Sequence, residues 1–284
     1  MIKELPPWLK KRIAPPEKLQ PVLRLLSSYH LHTVCESAHC PNLGECFSQG
    51  RVTFLILGDT CTRNCKFCMV TKGKPLSLDR GEPERIREAV RQLKLKFVVI
   101  TSVTRDDLPD GGAEIFTRTI RLLHQDTIKV EVLVPDFQGR KKCVERILSE
   151  NPEVFAHNLE TVPRLYPSIR PEADYHRSLT LLRWGKEISP SQITKTGVMV
   201  GLGENEEEVV EVMKDARKAG VDIFTIGQYL PPSSSHYPVK EYISPETFDF
   251  YKRRGEELGL MVLSGVWVRS SYLADISWEK RREK

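Results

Sequence analysis

Three cysteines fall within eight residues at Cys61-Thr-Arg-Asn-Cys65-Lys-Phe-Cys68. Thiolates this close can hold three corners of a 4Fe-4S cubane and leave the fourth iron open. An open iron is a place where a cofactor binds and is reduced. Two other chemistries use clustered thiols. A structural zinc site asks for four closed tetrahedral ligands, commonly in Cys-x-x-Cys pairs, and a thioredoxin-like pair at Cys65 and Cys68 leaves Cys61 over. A second trio lies upstream, Cys35-Glu-Ser-Ala-His-Cys40-Pro-Asn-Leu-Gly-Glu-Cys46. On spacing alone it fits a zinc knob or half of an interdomain staple. His39 within it reads as a local hydrogen-bonding residue, and Cys143, alone on a later helical stretch, as a small buried hydrophobe.

The composition frames these thiols. The chain has 284 residues, a hydrophobic fraction of 40% and a formal charge of +5, enough for one large domain with a proper core. Its longest apolar runs, 97–100 and 260–263, are far too short to cross a bilayer. The first 16 residues mix charges with prolines and have no apolar leader region. The expectation is a cytoplasmic protein in a reducing compartment, where clustered thiols act as metal ligands or redox groups rather than disulfides. Basic residues are interleaved with acids except at 280–284, and no aromatic residues alternate with basic clusters to stack bases. Nucleic acid and membrane are therefore not expected partners.

The elements that must position the thiols follow from periodicity. Residues 18–30 form an amphipathic helix, with Leu19, Val22, Leu23 and Leu26 on one face. From Thr53 onward, short β-rich runs alternate with longer helical ones, the pattern of a parallel sheet built from βα units. Strands are predicted at 53–57, 97–101, 129–134, 154–158, 194–200, 222–226 and 260–263, and helices at 82–93, 113–124, 141–149, 176–187, 206–219 and 245–258. Residues 278–284 read as a frayed tail. The fold class is α/β, a partial (β/α) TIM-like barrel. Such barrels carry their chemistry on the loops after the strands' C-terminal ends. The Cys61 to Cys68 loop follows the first strand, and the polar stretches 102–112, 158–160, 195–203 and 228–229 follow or span later ones. Asn158 and Glu160 offer an amide and a carboxylate that can bond an amine or ribose hydroxyls. Arg170 can grip a carboxylate bidentately.

The Cys-x3-Cys-x2-Cys spacing after a first strand resembles the radical S-adenosylmethionine (radical SAM) superfamily. Preceded by Cys-x4-Cys-x5-Cys and followed by Arg269-Ser270-Ser271-Tyr272, it is similar to the lipoyl synthase family over nearly the whole chain. The resemblance implies two 4Fe-4S clusters. Cys61, Cys65 and Cys68 would hold the catalytic one, which binds S-adenosylmethionine, while Cys35, Cys40, Cys46 and Ser271 would hold an auxiliary one. It further implies S-adenosylmethionine contacts at Gly111, Gly112, Asn158 and Glu160, and completes the match at Arg170, Lys195 and Gln228. Three positions depart from the family pattern: Ala156, Val266 and Leu273 stand where asparagine, proline and histidine are usual.

The implied reaction inserts two sulfur atoms, at C6 and C8, into an octanoyl chain amide-linked to a lysine of a lipoyl carrier domain. A 5′-deoxyadenosyl radical takes each hydrogen and the auxiliary cluster supplies the sulfur. Implied partners are the carrier (a 2-oxoacid dehydrogenase E2 subunit or the glycine cleavage H protein), an electron donor such as ferredoxin or flavodoxin, and an iron–sulfur carrier. The mild positive charge would steer docking on an acidic carrier. The implied modules are residues 1–50 with the auxiliary ligands, 51–264 as the barrel and 265–284 as a C-terminal extension. Two rivals share the thiols. A methylthiotransferase-like enzyme acting on tRNA would bring a nucleic-acid-binding module, which the sequence lacks. A non-enzymatic iron–sulfur or zinc scaffold would leave the polar loop residues without a purpose.

Overall fold

A computed structural model describes residues 5–11 and 15–283. Lys3, Glu4 and Arg12 of the proline-punctuated start, and Lys284, lie outside the described residues. Helix α1 (Pro16–Ser28), strand β1 (His32–Thr33) and helices α2 (Val34–Ser37) and α3 (Leu43–Ser48) form an N-terminal lobe. Strand β2 (Thr53–Ile56) then opens the barrel, followed by the short pair β3 (Thr60–Cys61) and β4 (Thr71–Lys72). The βα alternation continues as α4 (Glu82–Gln92), β5 (Phe97–Ser102), α5 (Ala113–Gln125), β6 (Lys129–Leu133), α6 (Lys141–Leu148) and β7 (Val154–Ala156). It ends with α7 (Tyr166–Ile169), α8 (Tyr175–Ile188), β8 (Ile193–Val200), α9 (Glu206–Lys218), β9 (Ile223–Gln228), α10 (Pro245–Glu257), β10 (Met261–Ser264) and α11 (Ala274–Arg282).

Eight strands form one sheet in the order β1-β2-β5-β6-β7-β8-β9-β10. Every pair is parallel except β1 on β2. The strands read as nearly continuous apolar runs because helices cover one face and the barrel interior the other: all of β2 and β9 is buried. Four of the described α-helices start at a polar side-chain cap. Asp174 accepts from the Arg177 N–H before α8, and Asn205 and Glu208 form a reciprocal capping box before α9.

The two edge strands, β1 and β10, are not paired with each other. The N-terminal lobe and the segment after β10 meet instead. Asn42 Nδ2 donates to the Trp267 carbonyl at 2.6 Å, Tyr272 Oη to Glu45 at 2.8 Å, and Arg51 pairs with Asp275 at 3.0 Å. The C-terminal segment runs so close to β9 that a Cβ on Gly227 would stand 2.0 Å from the Val268 carbonyl oxygen. Only glycine admits that approach.

The end of the chain corrects the expectation of a frayed tail. Helix α11 lies across the strands' N-terminal ends, with Trp278 buried against Phe97 at a ring separation of 5.8 Å and Arg281 bonded to Asp222 at 2.7 Å. Its period is masked in the sequence because the apolar anchors are few among charges. The short elements β1, α2, α3 and α7 also went unread, being too brief for periodicity to show.

Candidate active site

The mouth of the barrel is a cavity of about 520 Å³. Cys61, Cys65 and Cys68 line it, and so do Cys35, Cys40 and Ser271, whose chain positions lie far from that trio on both sides. Asn158, Glu160, Arg170 and Gln228 line it as well, and His39 sits on its wall in a left-handed conformation with φ 49°.

The Cys61 to Cys68 loop is fixed at several points. Backbone N–H groups of Arg63 and Thr104 each point at Cys61 Sγ, at 3.4 Å. The Lys66 N–H reaches the Ile169 carbonyl at 2.8 Å, and His236 Nε2 lies 3.2 Å from the Cys68 carbonyl. The strongest anchor is Arg63, buried between the cysteines. Its guanidinium grips Asp106 at 2.6 and 3.0 Å and Asp136 at 2.6 and 3.0 Å. Asp136, at 1% exposure, also accepts from Arg177 at 2.8 Å. Burial alone would raise the Asp136 carboxyl, but the two-pronged bond to Arg63 and its charge hold it far below the usual carboxylate range. Sequence reasoning missed this network. Its signals were an arginine inside the cysteine loop and an aspartate just past the C-terminal end of β6.

Opposite the loop, Glu160 adopts φ 66°, a strained conformation for a non-glycine residue. It is held there by a bridge to β8, with its N–H on the Gly197 carbonyl at 2.9 Å and its carbonyl accepting from Met199 at 2.8 Å. Its carboxyl accepts from Asn158 Nδ2 at 3.1 Å, and burial raises it against the opposing charge of Arg170. Arg170 spends Nη1 on the Asn158 and Leu159 carbonyls and the Tyr166 hydroxyl. Its Nε, Asn158 Oδ1 and Ser102 Oγ are buried without a partner. Buried polar atoms are nearly always bonded, so three orphans on one cavity wall are a fit for a polar ligand with donors and acceptors, as S-adenosylmethionine is.

Four expected contacts turn out to hold the scaffold. Gly111 and Gly112, at φ 59° and 87°, make the turn into α5 and do not line the mouth: a Cβ on Gly112 would meet Leu57 at 2.2 Å and one on Gly111 would meet Phe137 at 2.9 Å. Their freedom serves close packing, which spacing cannot distinguish from close approach to a ligand. Lys195 is also off the mouth, paired with Glu131 at 2.9 Å with both side chains 1% exposed. Gln228 reaches the wall, but its amide is spent on the Val200, Tyr229 and Glu241 carbonyls and the Ile243 N–H. Cys143 is buried in α6, 3.3 Å from the Asp110 carbonyl, as a small core residue would be.

The upstream thiols lie where the two ends of the chain meet. Cys35 belongs to α2 and Cys46 to α3, and the turn between them is closed by the Cys40 N–H on the Cys35 carbonyl at 2.9 Å. Burial pushes Cys35 up to about 12 and Cys46 to about 11, with the neighbouring thiol Cys40 adding to both. Cys68 is likewise pushed by burial to about 12. Iron would displace these protons, since only thiolate ligates. Among the described residues, Arg269, near Ser271, donates only to the Val266 and Val268 carbonyls.

The model of the radical SAM superfamily matches residues 55–216. The lipoyl synthase of Caldicellulosiruptor saccharolyticus is 53% identical over 273 residues, covering 95% of this chain and 96% of its own. That of Caldanaerobacter subterraneus subsp. tengcongensis is 54% identical with the same coverage. The chain belongs to the lipoyl synthase family. It is thus a sulfur-inserting radical SAM enzyme whose cofactors are 4Fe-4S clusters and S-adenosylmethionine. The crystal structure of methylornithine synthase superposes with a TM-score of 0.57 at 13% identity, covering 88% of this chain and 75% of that one, and shows the shared fold. No helix among the described residues is long and apolar enough to cross a membrane.

Proposed function

We propose that Cys61, Cys65 and Cys68 hold the S-adenosylmethionine-binding cluster, that Cys35, Cys40, Cys46 and Ser271 hold the auxiliary one, and that the cavity between them receives an octanoyl-lysine of a lipoyl carrier domain for sulfur insertion at C6 and C8. The observation that carries this reading is the cavity lined by Cys61, Cys65 and Cys68 together with Cys35, Cys40 and Ser271, with Cys46 behind them. When bound, the clusters and S-adenosylmethionine supply a radical able to take hydrogen from an unactivated carbon, and a source of sulfur.

The chain's own residues bind, orient and shield. Asn158, Arg170 and Ser102 offer unmet polar atoms, and Glu160 a buried carboxyl, for the amino-acid and ribose parts of S-adenosylmethionine. Phe67, Val70, Leu133 and Met199, which line the same cavity, suit an alkyl chain and keep water from the reacting carbon. The Arg63 network keeps the loop in place while charge changes beside it. Residues 1–50, 51–264 and 265–284 act as auxiliary-ligand lobe, barrel and closing segment. The reading takes the carrier to be a 2-oxoacid dehydrogenase E2 subunit or a glycine cleavage H protein, electrons to come from a ferredoxin or flavodoxin, iron and sulfur from an iron–sulfur carrier, and the compartment to be the cytoplasm, which keeps the thiols reduced.

The test is anaerobic reconstitution, then incubation with an octanoyl-lysine peptide, S-adenosylmethionine and reductant. The expected result is dithiolated peptide from the intact chain and none from Cys35→Ala. Cleavage of S-adenosylmethionine with an unthiolated peptide in both would retain the radical site and reject the substrate.

A further inference from the structure

A second cavity, of about 370 Å³, lies on the far side of the auxiliary thiols. The first residues of β2, β5 and β6 (Thr53, Phe97 and Lys129) wall it together with Ala274 and Trp278 of α11. It therefore sits at the strands' N-terminal ends, away from the mouth, and the exposed Lys94 and Lys96 on its rim place it in reach of solvent. Cys35, Cys40, Arg269 and Ser271 line both cavities, whereas Cys46 and Tyr272 line only this one. The auxiliary site is thus a partition with two faces.

The charge of the rear face is uneven. Arg51, Lys94, Lys96, Lys129 and Arg269 line it against Asp275 and Glu279. Arg51 is matched by Asp275 and Lys129 by Glu153, while Arg269 at the partition is bonded only to carbonyls. A cleft walled by one sign of charge concentrates the opposite ion.

We propose that the rear cavity is a second entrance to the auxiliary site, admitting small anionic sulfur species, hydrosulfide or a low-mass thiolate, to the Cys46 side without passage through the mouth. The proposal rests on the reading of Cys35, Cys40, Cys46 and Ser271 as one site. It explains why Cys46, which does not line the mouth, faces a second cavity, and why Arg269 at the partition forms no ion pair among the described residues.

The test uses the full-length, metal-free chain and two methanethiosulfonate reagents, one bearing a sulfonate and one a trimethylammonium, with labelling of Cys46 followed by mass spectrometry. The sulfonate-to-ammonium rate ratio at Cys46 is expected to exceed that of free cysteine by about tenfold. Lys96→Trp, at the rear rim, is expected to slow the labelling, and Met199→Trp, in the mouth, to leave it unchanged. Slowing by the mouth variant, slowing by neither variant, or a ratio at or below that of free cysteine would each overturn the proposal. The peptide assay reports separately: dithiolated product from a chain that labels Cys46 through the mouth would remove the rear entrance and keep the reaction.

Discussion

Two loops of this enzyme carry three thiols each, and they are held in different ways. The Cys61 to Cys68 loop is wired to the ends of β5 and β6 by Arg63, whose two carboxylate partners approach to 2.6 Å in a buried setting. The Cys35 to Cys46 segment has no such buried charge. It is held from both ends of the chain, by partly exposed contacts: Glu45 accepts from Tyr272 of the closing segment and pairs with Lys11 at 2.9 Å. The contrast teaches that the barrel makes the first site by itself, whereas the second exists only while the segment after β10 stays docked. A site assembled from two chain ends can loosen without unfolding the barrel.

The largest expected effect breaks the first anchor. Asp136→Ala leaves the buried guanidinium of Arg63 short of a partner, which costs about 3–5 kcal/mol in comparable buried pairs. Denaturant unfolding should show this loss, together with poor iron retention by a variant that keeps only Cys61, Cys65 and Cys68. Unchanged stability would mean that the network is not what holds the loop.

A pH titration probes the same half of the molecule. Burial first, and Arg170 second, lower the His157 imidazole to about 4, where it bonds the Val134 carbonyl and Ser178 neutrally. A folded value below the unfolded one, about 6.5, means that protonation favours the unfolded chain. Stability should thus decline as pH falls below about 6.5, by about 3 kcal/mol in total near pH 4. The difference between wild type and His157→Gln across that window isolates this slope; parallel curves would remove His157 as its source.

Loosening the second site should cost less. Tyr272→Phe removes one hydrogen bond worth about 1 kcal/mol, and its mark is selective: auxiliary iron falls while S-adenosylmethionine cleavage persists. Equal loss at both clusters would show that the two sites are not independent. The smallest effect belongs to Arg51→Met, since the partly exposed pair with Asp275 contributes about 0.2–1 kcal/mol. A shift in unfolding midpoint near the limit of detection is the expected reading.

Legibility in the sequence followed local periodicity. Strand β5, read at 97–101, ends one residue later, and α5, read at 113–124, ends at Gln125; long, strongly alternating βα units announce themselves. Helix α11 did not, because its burial depends on a surface that the barrel provides. The thiols were legible as two groups because their spacing is short. The packing roles of Gly111, Gly112 and Lys195 were not legible, because a glycine turn and a polar residue on a strand look alike in sequence whether they face a ligand, Leu57 or Glu131.

The sequence by itself determined the grouping of the thiols into two trios and the order of the elements, because both are written in spacing and period along the chain. The tertiary structure alone decided which contacts dock residues 269–272 against residues 35–46, that Arg63 answers to Asp106 and Asp136, and that the upstream thiols divide two cavities. These pairings join positions far apart in sequence, and only the curling of the sheet and the docking of the segment after β10 bring them within the few ångströms over which hydrogen bonds and ion pairs act.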